Sequence, residues 1–266
     1  MSIIMVNDLG EIPNIGDRSK IKSKYLPIIS KVKDFYIKEL GTNIVGLYIR
    51  GSISSGKDNN FSDFDFVAVT RKEISKKNKI NLIRFTDKIQ EKYKNVNGFE
   101  LATVSIINLT KSKDFFNLRL NLKTCSVLIY GEDVRKMLPK VVPGKDLSKK
   151  MFKYATSEYN TLGKYFSSSI EKSYLNKVRP TEFWCGWMMR VLSRSGMGVL
   201  MINEKSYTND IKYISKKIIK EYPQFSHFFE QAAMWVVEPT SSKKEIDLFL
   251  KKHSKIYFSF WEKLLK

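Results

Sequence analysis

The sequence predicts an α+β chain: an N-terminal α/β core, a mixed sheet with flanking helices, followed by an all-α bundle. Three observations predict it. Between residues 44 and 107, apolar β-branched runs of strand length are separated by one polar loop and one lysine-rich amphipathic stretch, giving strand–loop–strand–helix–strand. Residues 138–146 carry Pro139, Pro143 and Gly144 and read as an interdomain linker. Beyond the linker the apolar residues follow helical spacing and no convincing strand is found. The expected domains are therefore 1–138 and 146–266.

Taken in order, Ile21, Tyr25, Ile28, Ile29, Val32, Phe35, Tyr36 and Leu40 are spaced for a helix over 19–40, closed by Gly41 as its C-terminal cap. Strands follow at 44–49 and 64–69, then a helix at 73–94 and a strand at 100–107. A further helix is expected over 112–127. In the C-terminal half, helices are expected over 147–170, 180–196, 206–221, 223–236 and 241–265. Asp146, Pro180, Thr208, Pro223 and Ser242 stand where those helices would start.

The chemistry is concentrated between the first two strands. Gly51 and Ser52 close one strand, and Ser62, Asp63, Phe64 and Asp65 open the next. Side chains at i and i+2 of a strand share a face, so Asp63 and Asp65 project together. They do so beside a Gly-Ser turn whose backbone can approach a phosphate closely. Two adjacent carboxylates in an apolar run repel each other unless a cation lies between them. Mg²⁺ carrying a nucleoside triphosphate meets that need. A third carboxylate is expected from a neighbouring strand, and Glu100, at the head of an apolar run, is the candidate. It would complete the coordination of the ion or take the proton from an attacking hydroxyl. Asp87 and Glu91 are poorer choices, since both sit on a helix among lysines.

Composition narrows the class. The 266 residues hold ample apolar side chains for cores, and no run approaches the roughly 18 apolar residues of a membrane span. Residues 1–8 lack a basic region followed by a long apolar stretch, so no secretory signal is expected and a cytoplasmic setting is. Cys125 and Cys185 read as buried thiols rather than a disulfide. His227 and His253 have no ligand-spaced partner in the sequence, which argues against a zinc site or a histidine-based triad. The formal charge is +20, with the excess concentrated in residues 101–200. Part of it is the background of a lysine-rich chain, but a basic patch attracts polyanions, triphosphates and RNA included.

The Gly-Ser turn followed by Ser-Asp-x-Asp between two strands resembles the polymerase-β-like nucleotidyltransferase superfamily. A nucleotidyltransferase core ahead of a five-helix bundle is similar, within it, to the streptomycin/spectinomycin adenylyltransferases. The segment Ile44–Ser52 resembles that family's I-V-G-V-Y-L-F-G-S, and Glu100–Val104 matches, with one extra residue, its L-E-V-T-V strand, which bears the catalytic glutamate. Ser126–Gly131 resembles its S-V-x-L-x-G segment before the linker. Arg190 is similar in setting to the family's helix arginine that faces the triphosphate, and Lys205 stands where the family has a phosphate-binding lysine. The resemblance implies Mg²⁺ on Asp63, Asp65 and Glu100, nucleotide contacts from Gly51, Ser52, Ser62, Arg190 and Lys205, and ATP as the donor. Two departures stand out. Asn108–Lys123 replaces a longer family segment with a drug-stacking tryptophan and contains none, and residues 175–183 are net basic, with Glu182 the sole acid, where the family is acidic.

The implied reaction is in-line attack of an acceptor hydroxyl on the α-phosphate, with pyrophosphate leaving. Three acceptor classes stay open. A small hydroxyl-bearing molecule, an aminoglycoside-type antibiotic by resemblance, calls for an acidic pocket, for which Glu132, Glu158 and Glu182 are the candidates. RNA, such as a tRNA end, is favoured by the basic bundle and by Tyr154, Tyr159, Tyr165, Phe166 and Tyr174, aromatics that equally suit a helix core. A protein hydroxyl, or a non-catalytic nucleotide-binding module with no acceptor, is the third.

Overall fold

The computed structural model describes residues 4–58, 62–94, 96–174 and 177–266. The chain divides into two compact units, Pro13–Val141 and Val142–Lys266, the latter joined by the N-terminal segment up to Ile12. Accordingly strand β1 (Ile4–Met5) belongs with the second unit.

In the first unit the helix expected from residue 19 begins at Leu26. Arg18–Lys20 and Ser23–Tyr25 are single 3₁₀ turns, and α1 runs Leu26–Leu40. Pro27 lies in its first turn, where a ring without an N–H is tolerated but blocks continuation of the helix upstream. Gly41, at φ +51°, ends α1 by donating its N–H to the Ile37 carbonyl. Then come β2 (Ile44–Arg50), β3 (Phe64–Thr70), α2 (Lys76–Lys92) and β4 (Phe99–Ser105). The last strand stops two residues short of expectation because the Ser105 hydroxyl accepts the Asn108 N–H and caps a new helix, α3 (Ile106–Lys111). The helix expected over 112–127 is the shorter α4 (Phe116–Thr124), and Ser126–Gly131 is a fourth strand, β5. Asn14 holds the chain extended at that switch: Ser126 N–H donates to Asn14 Oδ1 at 3.0 Å, and Asn14 Nδ2 donates to the Ser126 carbonyl at 2.8 Å.

The strands lie in the order β4-β3-β2-β5, with β3 and β4 parallel and the other pairs antiparallel. Both faces of this mixed sheet are covered. Leu47, Ile49, Phe64, Phe66 and Ala68 pack with residues of α1 and α2, among them Val32, Tyr36 and Leu82. On the opposite face Tyr48, Val67, Val69 and Val104 pack with Leu109 of α3 and Leu122 of α4. Alternate residues of one strand thus serve two cores.

The second unit is helical: α5 (Lys145–Phe166), α6 (Thr181–Leu200), α7 (Ile211–Glu221), α8 (Ser226–Val237) and α9 (Lys243–Leu265). The apolar α6 is the hub, packed against α5, α7, α8 and α9. Strands do occur here, contrary to the sequence reading. Ser173–Tyr174 (β6) pairs with Lys177–Val178 (β7), and Ser206–Tyr207 (β8) pairs antiparallel with β1. Consequently the helix expected from 206 starts only at Ile211, where the Asp210 side chain accepts the Tyr213 N–H. Cys125 and Cys185 are buried free thiols. Among the described residues no helix is long and apolar enough to cross a membrane.

Candidate functional site

At one end of the four-stranded sheet, the face that packs on α3 and α4 changes from apolar to charged. Arg50 follows Tyr48 at i+2 in β2, Asp65 precedes Val67 at i−2 in β3, and Glu100 precedes Ala102 likewise in β4. The register pairs Arg50 with Asp65 and Asp65 with Glu100, so these three form one row across three neighbouring strands. Arg50 Nη2 lies 2.8 Å from Glu100 Oε1, and Nη1 lies 3.8 Å from Asp65 Oδ2. The side chains of Arg50, Asp65 and Glu100 are only 15%, 24% and 26% exposed. Burial pushes the Asp65 carboxyl above its ordinary range, against the pull of Arg50, and the charges of Glu100 and Asp63 add to the rise.

The turn beside this row is built for close approach. Gly51 has φ +80°, donates its N–H to the Cys125 carbonyl at 3.1 Å, and would bring an added Cβ within 3.0 Å of Asp65 Oδ2. The Ser52 hydroxyl donates to Ser62 Oγ at 2.9 Å, which joins the two ends of the intervening loop. Further along that loop, Asp58 accepts from Lys22 Nζ at 2.8 Å and from the Tyr25 hydroxyl at 2.7 Å. Residues 59–61 of the loop lie outside the described residues. Asp63 precedes β3 and its Oδ1 accepts from Asn97 Nδ2 at 2.8 Å.

Gly51, Ser52, Ser62, Asp63, Asp65 and Glu100 therefore fall within one unit, around one turn and one strand row. Among the described residues no three His, Cys, Asp or Glu side chains close into a metal cage. The arrangement is a carboxylate pair, Asp65 and Glu100, with a third acid, Asp63, just ahead of β3. Such an oxygen-only set suits Mg²⁺, which binds through one or two carboxylates plus phosphate oxygens rather than in an all-protein cage.

Arg190 and Lys205 belong to the other unit. Arg190 is half-buried in the middle of α6, and Lys205 is exposed in the bend between α6 and β8. Of the acids expected to serve an acceptor, Glu158 accepts the Trp187 indole N–H at 3.1 Å, Glu182 sits in the first turn of α6, and Glu132, in the sheet unit, is 79% exposed beside Arg71. Residues 175–176 of the basic segment lie outside the described residues. Tyr165 and Phe166 are buried in the bundle, and Tyr174 packs on Phe183, Trp184 and Trp187. His227 and His253, unpartnered by sequence spacing, meet with ring centroids 4.9 Å apart on α8 and α9.

Sequence reasoning missed Arg50 and Asn97. The signal for Arg50 was present: alternation along β2 puts it on the Tyr48 face, and a lone cation at the end of an apolar strand needs an anionic neighbour. Asn97 comes from a loop and leaves no such signal.

Neither a protein-family profile nor a curated protein matches the sequence. Among solved structures, a crystal structure of the spectinomycin adenyltransferase of Enterococcus faecialis with ATP and spectinomycin aligns with a TM-score of 0.59. The alignment covers 89% of this chain and 97% of that one, at 14% sequence identity. The two chains share a fold. At that identity most side chains differ, so the charged row on this sheet has to be judged on its own geometry.

Proposed function

We propose that the chain is a Mg²⁺-dependent nucleotidyltransferase that moves AMP from ATP to a hydroxyl of a small, aminoglycoside-type acceptor. The observation that carries this reading is the Asp65–Glu100 pair, in register on parallel strands beside the Gly51–Ser52 turn, in a fold shared with an adenyltransferase crystallised with ATP and spectinomycin. Asp65 and Glu100 would hold the ion, with Asp63 proposed as the further acid beside them, and the ion when bound screens the phosphate charge from the nucleophile. The Gly51 and Ser52 backbone, with the Ser52 and Ser62 hydroxyls, receives phosphate oxygens. Arg190 and Lys205 are proposed as further nucleotide contacts on the sequence resemblance alone. The acceptor oxygen forms a bond to the α-phosphorus as the bond to the bridging oxygen breaks. Pyrophosphate leaves, and the hydroxyl proton passes to Glu100.

The test is incubation of the purified chain with labelled ATP, GTP, CTP or UTP, Mg²⁺, and separately aminoglycosides, spectinomycin or bulk tRNA. Label from ATP on a drug is the expected result, lost by at least about a hundredfold in Asp63→Asn and Asp65→Asn. Wild-type turnover in either variant would refute the site. The charge of +20 favours RNA as the second reading, and label on tRNA alone would replace the drug acceptor with it.

A further inference from the structure

We propose that Arg50 is a positioning residue that occupies the Asp65–Glu100 pair as a built-in cation, so that the chain takes up a divalent ion together with a triphosphate and holds the free ion poorly. This rests on the reading of that pair as the metal site.

The argument starts from charge. Two largely desolvated carboxylates in adjacent register repel each other, and a cation is needed to keep both ionised. The guanidinium supplies it from the chain itself, reaching Glu100 at 2.8 Å and Asp65 at 3.8 Å. Arginine keeps its proton throughout the biological pH range, so it cannot make room by becoming neutral. Its backbone is held on both sides, since Arg50 pairs with Asp65 on β3 and with Ser126 on β5. A divalent ion on the same pair would sit within a few ångströms of a fixed positive charge, at low effective dielectric. Phosphate oxygens arriving with the ion cancel that repulsion. The two distances also rank the contacts: the looser one, to Asp65, gives way to the ion, while the closer one keeps Glu100 oriented.

Mn²⁺ is the probe, measured without nucleotide by the free-ion electron paramagnetic resonance signal, and again with a non-hydrolysable α,β-methylene ATP analogue. Arg50→Met is expected to bind free Mn²⁺ at least about tenfold more tightly than wild type, and the gap should shrink once the analogue is present. Arg50→Lys, which keeps the charge, should stay near wild type. Because Arg50→Met leaves two facing carboxylates without their cation, Arg50→Met/Glu100→Gln is compared with Glu100→Gln alone as well, and the same gain is expected. Equal free-ion affinity in both comparisons overturns the proposal. If Asp65→Asn leaves analogue-dependent Mn²⁺ binding intact, the metal-site reading falls and the proposal falls with it. If Asp65→Asn abolishes that binding while Arg50→Met changes nothing, the role of Arg50 alone is refuted.

Discussion

Two constraints meet at Gly51. Its φ of +80° lies where a side chain is strained, and an added Cβ would come within 3.0 Å of Asp65 Oδ2. Gly51→Ala should therefore lower stability by about 1–2 kcal/mol. It should also push the Asp65 carboxylate out of the row, with a transfer rate reduced by at least about tenfold. Urea denaturation and initial rates measure the two effects separately, and a variant normal in both would show that the turn is not held as described. At this scale the grouping of the candidate residues was largely legible in the sequence, because Gly51, Ser52, Ser62, Asp63 and Asp65 are linked by local spacing and period-2 alternation. Glu100 was legible as the first residue of the next apolar run. Arg50 showed only its place on the Tyr48 face, since its partners lie on two other strands and the row exists only once the register is set.

Among the elements, β5 shows how a short strand is held at a sheet edge. The turn that follows it is pinned by Asp133, whose carboxylate takes a two-pronged contact from Arg135, Nε to Oδ1 and Nη2 to Oδ2, each 2.8 Å. Arg135 also donates to the Ser126 carbonyl at 2.9 Å, and the buried Tyr48 hydroxyl accepts the Val134 N–H at 2.7 Å. These contacts tie the start and end of β5 to the central strand β2. The Arg135 hydrogen bonds hold the Asp133 carboxyl below its ordinary value of 3.8, with partial burial opposing them. The folded state therefore binds fewer protons than the unfolded state across that window, so this contribution is present above pH 3.8 and is lost as pH falls through the folded value. Asp133→Asn should lower the urea midpoint at pH 6, and its difference from wild type should shrink below about pH 4. A difference that stayed constant across the range would sink the ion-pair account. Elements with strong periodicity, such as α2 and the long helices of the bundle, were legible. Strand β5 was not, because what extends it is Asn14, more than a hundred residues away in sequence. The short ladders β1–β8 and β6–β7 were hidden because each has too few residues to show an alternation.

For the molecule as a whole, the charge of +20 and the packing point in different directions. The charge attracts polyanions, yet Tyr165 and Phe166, which could have offered stacking surfaces, are buried in the bundle. Retention of tRNA on the chain should then be electrostatic and fall steeply between about 50 and 200 mM salt, while transfer to a small acceptor changes far less. A tRNA interaction that survives high salt would speak for a built RNA site. The prolines and the change of periodicity put a linker over 138–146, and the sequence held no sign that the N-terminal segment pairs with β8. Because each unit carries its own core, damage to one should stay local. Gly198 of α6 tests this: an added Cβ would lie 2.2 Å from Trp261 Cζ2, and Trp261 is fully buried. The Trp261 indole donates to Ser148 Oγ at 2.9 Å, and Ser148 donates to the Gly198 carbonyl, so α5, α6 and α9 close at that point. Gly198→Ala should cost about 1–3 kcal/mol through overpacking. Amide hydrogen exchange should speed up along α5, α6 and α9 while β2, β3 and β4 keep their protection. Equal loss in both units would mean that they unfold as one, and that the sheet bearing Asp65 and Glu100 depends on the bundle for its stability.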